Sequence, residues 1–245
     1  MAQVYELKEG DCLDILPTLK PESVDAVITD PPYGVGISAV HKFSTRKRDT
    51  GPKYGQEVAE GWDESAPVAW MAAAVAALKP GGAFVVFTDH KAFGTVWTMC
   101  NRAGLKPLQS FHWIKTNAPP NPRKNFQSTV EVAVFARKPG KVLHWGGGGA
   151  TPNHYRAPVA AGLDRTEHPT QKNLDLMRHL VRLLTPTGGL VLDPFGGSGT
   201  TAVAAMLEKR RAIIIERDPA YCKISRKRLE QWERSDDVRQ MELLT

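Results

Sequence analysis

The chain has 245 residues, 42% hydrophobic and 24% charged, the balance of an ordinary globular protein able to bury one substantial core. Its longest apolar runs, AFVVF at 83–87 and AIII at 212–215, are far shorter than the roughly 20 residues of a membrane span, and the N-terminal residues lack a basic-then-apolar targeting order, so a cytoplasmic protein is expected. A net charge of +6 with a pI near 9.2 favours a polyanionic partner, while three scattered cysteines and seven histidines without paired ligand spacing give no reason to expect a metal or disulfides.

The elements alternate along the chain. A strand at 4–7 is followed by Gly10-Asp11-Cys12, and a second at 25–29 runs into Asp30-Pro31-Pro32-Tyr33. Residues 34–64 have no clear periodicity and carry Lys42, Arg46, Lys47, Arg48 and Lys53, which predicts a mobile basic loop. A helix over 66–78 is closed by Pro80-Gly81-Gly82 before a strand at 83–87, and a helix over 91–103 precedes strands at 110–115 and 130–136. Residues 117–167, rich in proline and glycine, read as a small insertion beside the sheet. Helices over 171–184, 199–208 and 219–232 then alternate with strands at 190–192 and 212–216. The expected fold class is α/β: one domain over 1–245, with a mostly parallel sheet covered by helices on both faces.

Two segments carry chemistry. In VLDPFGGSGTTA, 191–202, a strand meets a glycine-rich turn and a helix; Gly197, Gly199 and Ala202 satisfy G-x-G-x-x-A, which exposes backbone amides at a helix N-terminus. Glu216 ends the next strand, where an acidic side chain accepts the hydroxyl protons of a ribose, so an adenosine-bearing cofactor is implied. A Walker phosphate loop is excluded by the missing lysine. In AVITDPPYG, 26–34, two prolines remove N–H donors from a turn at a strand end. A planar group there meets carbonyl oxygens and the Asp30 carboxylate, acceptors suited to an exocyclic amine, and Tyr33 offers a flat face on which a base stacks.

With both motifs in hand, the chain resembles the DNA amino-methyltransferases, and the order of the motifs, Asp30-Pro31-Pro32-Tyr33 before the glycine turn, is similar to their beta group. The resemblance implies a Rossmann-like S-adenosylmethionine-dependent methyltransferase fold with circularly permuted motif order and a seven-stranded sheet. It gives Asp30, Pro31, Pro32 and Tyr33 the catalytic role. It implies that Asp11 and Cys12 face the cofactor adenine, and that His168, Thr170, Gln171 and Lys172, in His168-Pro169-Thr170-Gln171-Lys172, hold the methionine carboxylate. Asp193, Phe195, Gly197, Ser198, Gly199, Thr200 and Glu216 complete the cofactor set, with Asp30 at its border. Trp113 and Lys115 fall where the family lines its target-base pocket. Asn173 departs from the pattern, standing where a proline is usual.

The activity the resemblance implies is methyl transfer from S-adenosylmethionine to adenine N6 in duplex DNA, with the basic loop on phosphates and 117–167 reading bases. The partner to expect is double-stranded DNA, with a homodimer and a cognate restriction endonuclease left open, and the place to expect is the cytoplasm, at the nucleoid of a prokaryote or in a cell carrying a phage. Asp30, rather than serine at the head of its motif, favours adenine. Methylation of cytosine N4, of RNA or of a protein amide is the nearest alternative. From other classes, a nicotinamide-dependent dehydrogenase and a non-catalytic DNA-binding protein with this fold stay open.

Overall fold

A computed structural model describes residues 4–32, 66–118, 120, 126–160 and 165–235. The sheet has eight strands in the order β1-β8-β7-β2-β3-β5-β4-β6. These are β1 (Tyr5–Glu9), β2 (Val24–Thr29), β3 (Leu78–Thr88), β4 (Lys106–Lys115), β5 (Val130–Arg137), β6 (His154–Ala157), β7 (Leu190–Asp193) and β8 (Arg211–Glu216). All pairings are parallel except those of β5 with β3 and β4. The expectation of seven strands is therefore corrected to eight. The additional one, β6, lies inside 117–167 and pairs with β4, so part of the insertion extends the sheet.

Described helices are α1 (Cys12–Ile15), α2 (Ala66–Ala77), α3 (Phe93–Arg102), α4 (Leu174–Leu184), α5 (Thr200–Leu207) and α6 (Pro219–Glu233). They cover both faces, because each buried strand sends alternate side chains to opposite sides. Leu176, Leu180 and Val181 of α4 and the whole apolar run of α5 pack on one face with Ile28 and Val85, while Trp70, Met71 and Val96 pack on the other with Val27 and Phe84. Every residue of β2 is buried, as a central strand requires. Helix α2 ends at Ala77, but Pro80-Gly81-Gly82 does not separate it from the next strand. The β2–β3 register jumps from Val24↔Leu78 to Ala26↔Ala83, and residues 79–82 bulge within β3.

This topology decides where a ligand sits. From β2 the chain passes to its neighbour β3, and from β7 to its neighbour β8 on the opposite side. Helices leaving β2 and β7 in opposite directions leave a crevice outside their carboxyl ends, the switch point at which open α/β sheets bind ligands.

Candidate active site

At that switch point lies a cleft of about 860 Å³, within the usual range for small-molecule sites. Its walls come from both sequence motifs and from the 168–172 segment: Asp30, Pro31 and Pro32 after β2, Asp193 to Ser198 after β7, Glu216 after β8, and His168 to Lys172 before α4. Gly10, Asp11 and Cys12 after β1 complete the rim, and the Gly10 amide bonds the Glu216 carbonyl at 2.9 Å.

The glycine turn is built for close approach. Gly197 and Gly199 hold φ of +50° and +75°, where a side chain is strained. A Cβ on Gly197 would stand 3.1 Å from the His168 ring, which lies over the turn and against Tyr221 at a centroid distance of 4.3 Å. Burial first, then Lys172, Arg165 and Arg228, push the His168 pKa down to about 4, so the ring is neutral; its Nδ1 is buried without a hydrogen-bond partner among the described residues. Glu216 fixes the turn from beneath: one carboxylate oxygen accepts the Gly197 amide and the other the Asp218 amide, each at 2.8 Å. Burial raises its pKa against the pull of those amides.

Several cofactor candidates act on the chain itself. Both oxygens of buried Asp193 are engaged, by the Thr29 and Thr201 hydroxyls and the Phe195 amide. The Ser198 and Thr200 hydroxyls bond each other and the Arg228 guanidinium. Of the turn's main-chain amides, those of Gly196, Gly197 and Gly199 are taken by Ile215, Glu216 and Gly196, which leaves those of Ser198 and Thr200 for a ligand. Asp11 caps α1 through the Leu13 amide and pairs with Arg217 at 3.3 Å. Cys12 is buried beneath it, its thiol pushed up to about 12 by burial and then by Asp11. Gln171 accepts the Thr166 amide and hydroxyl and fastens the segment ahead of α4, whereas Thr170 is exposed on the rim. Phe195 stands edge-on to buried Trp70 at 5.0 Å.

The Lys172 ammonium, expected at a methionine carboxylate, pairs with Asp30 and lies 3.1 Å from Glu131, which in turn pairs with Lys115 at 2.8 Å. Trp113, expected in a base pocket, is 2% exposed and donates its indole N–H to the Ala157 carbonyl at 3.0 Å, which makes it a core residue between β4 and β6. Tyr33, Lys42, Arg46, Lys47, Arg48 and Lys53 lie outside the described residues, as does all of 34–64. Glu131, which does not line the cleft but pairs with its Lys172, is a neighbour that sequence reasoning missed, and its one signal is a carboxylate within the apolar strand VEVAVFAR. Among the described residues no cluster of histidine, cysteine and acidic side chains could hold a metal, and no helix is long and apolar enough to cross a membrane.

A permuted doubly wound sheet, a glycine turn clasped by an acidic strand end, and an Asp-Pro-Pro turn on the same rim define a Rossmann-like methyltransferase. The family model described as DNA methylase matches residues 24–227, and the chain belongs to that family of N6/N4 amino-methylating enzymes. It is 30% identical to the type II methyltransferase M2.DpnII of Streptococcus pneumoniae, over 91% of this chain and 89% of the relative. It is 29% identical to M2.MboI of Moraxella bovis, over 91% and 87%. Among solved structures, the complex of M1.HpyAVI with S-adenosylmethionine superposes with a TM-score of 0.70 at 26% identity, covering 92% of this chain and 98% of that one. The cytosine-N4-specific PvuII DNA methyltransferase reaches 0.69 at 22% identity, covering 98% and 94%, a likeness of fold.

Proposed function

We propose that the protein transfers a methyl group from S-adenosylmethionine to the N6 amino group of an adenine swung out of duplex DNA. The observation that carries this reading is the Asp30 carboxylate at the mouth of the cleft, on the same sheet edge as the glycine turn and Glu216. The residues suit the cofactor: the turn approaches a ligand at a point where a Cβ would meet His168, and His168 Nδ1 is a buried polar atom with no partner among the described residues. M2.DpnII and M2.MboI are similar to this chain in sequence along 91% of its length, and the M1.HpyAVI structure that superposes on it is a complex with S-adenosylmethionine.

When bound, S-adenosylmethionine supplies an electrophilic methyl group on a sulfonium. The chain's own part is to bind and to orient. Glu216 accepts hydrogen bonds from the ribose hydroxyls, and the turn presents the amides of Ser198 and Thr200. A base inside a duplex is out of reach, so the target nucleotide leaves the stack at a cost of a few kcal/mol. Asp30 and the Pro31 carbonyl accept hydrogen bonds from the two amino N–H groups and draw the conjugated nitrogen toward tetrahedral geometry, which frees its lone pair and stabilises the positive charge that develops; once the methyl group is on nitrogen, the surplus proton leaves to solvent and the neutral N-methyl base remains. Asp30 acts as an acceptor held in place, and alignment lowers the rest of the barrier. Tyr33 stacks on the extruded base, the cations of 34–64 neutralise phosphates, and 117–167 reads sequence. A homodimer, a cognate endonuclease and residence at the nucleoid belong to the same reading.

The test is mass spectrometry of nucleosides after incubation with S-adenosylmethionine and mixed-sequence duplex DNA. N6-methyladenine, absent with Asp30→Ala, is the expected product. N4-methylcytosine overturns the base assignment, and no methylated nucleoside despite cofactor binding redirects the activity to RNA or a protein amide.

A further inference from the structure

We propose that Glu131 is a positioning residue for methyl transfer: it holds the Lys172 ammonium against Asp30, so that the carboxylate stays fixed where it meets the target amine. The inference rests on the role given to Asp30 above.

Four charged side chains run along the carboxyl edge of the sheet. Asp30 follows β2, Lys172 approaches from the segment before α4, Glu131 lies on β5 and Lys115 ends β4. The contacts are continuous from Asp30 to Lys172, from Lys172 to Glu131 at 3.1 Å and from Glu131 to Lys115 at 2.8 Å. Their signs alternate and sum to zero. Topology makes this possible: β5 is antiparallel to β3, with Val132 opposite Thr88, so the beginning of β5 reaches the edge where the parallel strands end.

Energetics explains why one carboxylate is not enough. The Lys172 side chain is only 8% exposed and its ammonium lies 5.1 Å from the centre of the Phe87 ring. A buried ammonium is costly unless its charge and its three donors are matched. Asp30 alone must then share its electron density fully with Lys172, which weakens it as an acceptor for an amine. A second carboxylate on the far side, whose Oε2 lies at ion-pair distance but accepts no hydrogen bond among the described residues, balances part of the ammonium's charge and draws the long side chain to one place. Burial would raise the Glu131 carboxyl, but Lys172 and Lys115 outweigh it and hold the pKa below the ordinary value, which keeps the group charged. His168 feels the Lys172 charge and is kept neutral chiefly by burial, and Asp193, at the end of β7, feels that of Asp30.

Glu131→Gln preserves shape and removes the charge. Cofactor affinity, measured by calorimetry, stays within about threefold. The single-turnover rate of methyl transfer to unmethylated genomic DNA falls about tenfold or more, and Glu131→Asp recovers part of it. In parallel, the Lys172 amine, followed by nitrogen NMR of lysine-labelled protein, titrates lower by about one unit in Glu131→Gln, because an ammonium has lost one of its anions. A rate equal to wild type, or a Lys172 titration that does not move, overturns the proposal. An inactive wild-type protein overturns the reading of Asp30 and this inference with it; an active wild type beside an unaltered variant overturns this inference alone.

Discussion

The Thr29 hydroxyl donates to the Asp193 carboxylate across 2.7 Å and so ties together the last residues of β2 and β7, the two strands between which the cleft opens. The same carboxylate accepts the Thr201 hydroxyl from α5 at 2.5 Å and the Phe195 amide at 3.0 Å. Strand end, turn and helix are therefore pinned at one acidic group, 4% exposed.

Burial pushes the Asp193 carboxyl up to about 7, against the pull of Thr201, Thr29 and the Phe195 amide. An acid raised in the fold stabilises the fold while protonated. Its contribution is complete below the unfolded value near 3.8 and is lost as pH rises through about 7. Thermal unfolding from pH 5 to 8 is expected to show a downward slope of stability that Asp193→Asn flattens, since the amide cannot ionise. Asp193→Ala strands buried donors and is expected to cost about 3 kcal/mol by denaturant titration. A slope identical in wild type and Asp193→Asn sinks the assignment.

Glu216 and the turn above it carry the second prediction. Glu216→Ala removes the acceptor of the Gly197 amide and the expected partner of the ribose, and S-adenosylmethionine affinity should weaken about tenfold to a hundredfold, the range of a charged hydrogen bond. Gly197→Val acts differently: its side chain meets the His168 ring and is strained at φ +50°, so affinity falls although every carboxylate survives. Calorimetry on the two folded variants checks both. Normal affinity in either one removes that residue from the cofactor site.

Those residues were legible in the sequence because their chemistry is local. A strand, a glycine turn and an acidic end one βαβ unit later repeat a spacing that the backbone enforces, and Glu216 and Gly197 meet as the spacing requires. Asp30-Pro31-Pro32 is legible for the same reason, as a turn at a strand end. Glu131 was not, because its place depends on β5 running antiparallel to β3, a pairing between segments about 45 residues apart that no local pattern encodes. Strand β6 was hidden by its brevity and by the prolines and glycines around it. Trp113 stayed ambiguous because an aromatic in a strand near a pocket and one in the core look alike in sequence, and here its indole nitrogen is found on the Ala157 carbonyl.

Asn173 replaces a residue type usual in the family, and the structure supplies a reason for asparagine here. Its side chain accepts the Leu176 amide at 2.9 Å and caps α4, the helix that follows Lys172 directly. Asn173→Ala is expected to lower stability by about 1 kcal/mol, a shift of a few degrees in Tm. Unchanged thermal unfolding would show that the cap contributes nothing.

The basic segment 34–64 supports a prediction from charge alone. Arg46, Lys47 and Arg48 are consecutive cations in a chain of net charge +6, and a protein that binds duplex DNA gains affinity by releasing counterions from the phosphates it neutralises. Each phosphate contact contributes about 0.9 to the slope of log affinity against log salt, so replacing all three residues with alanine should reduce that slope by up to about 2.7. S-adenosylmethionine affinity, measured on the same triple variant, is expected to be unaltered, because the three cations are assigned to phosphates and not to the cofactor. Fluorescence anisotropy with labelled duplex from 50 to 200 mM salt, on the order of the range in which such contacts are felt, reads the slope directly. An unchanged slope means that these cations are not on the DNA, and the phosphate contacts must then be sought on the described surface of the protein.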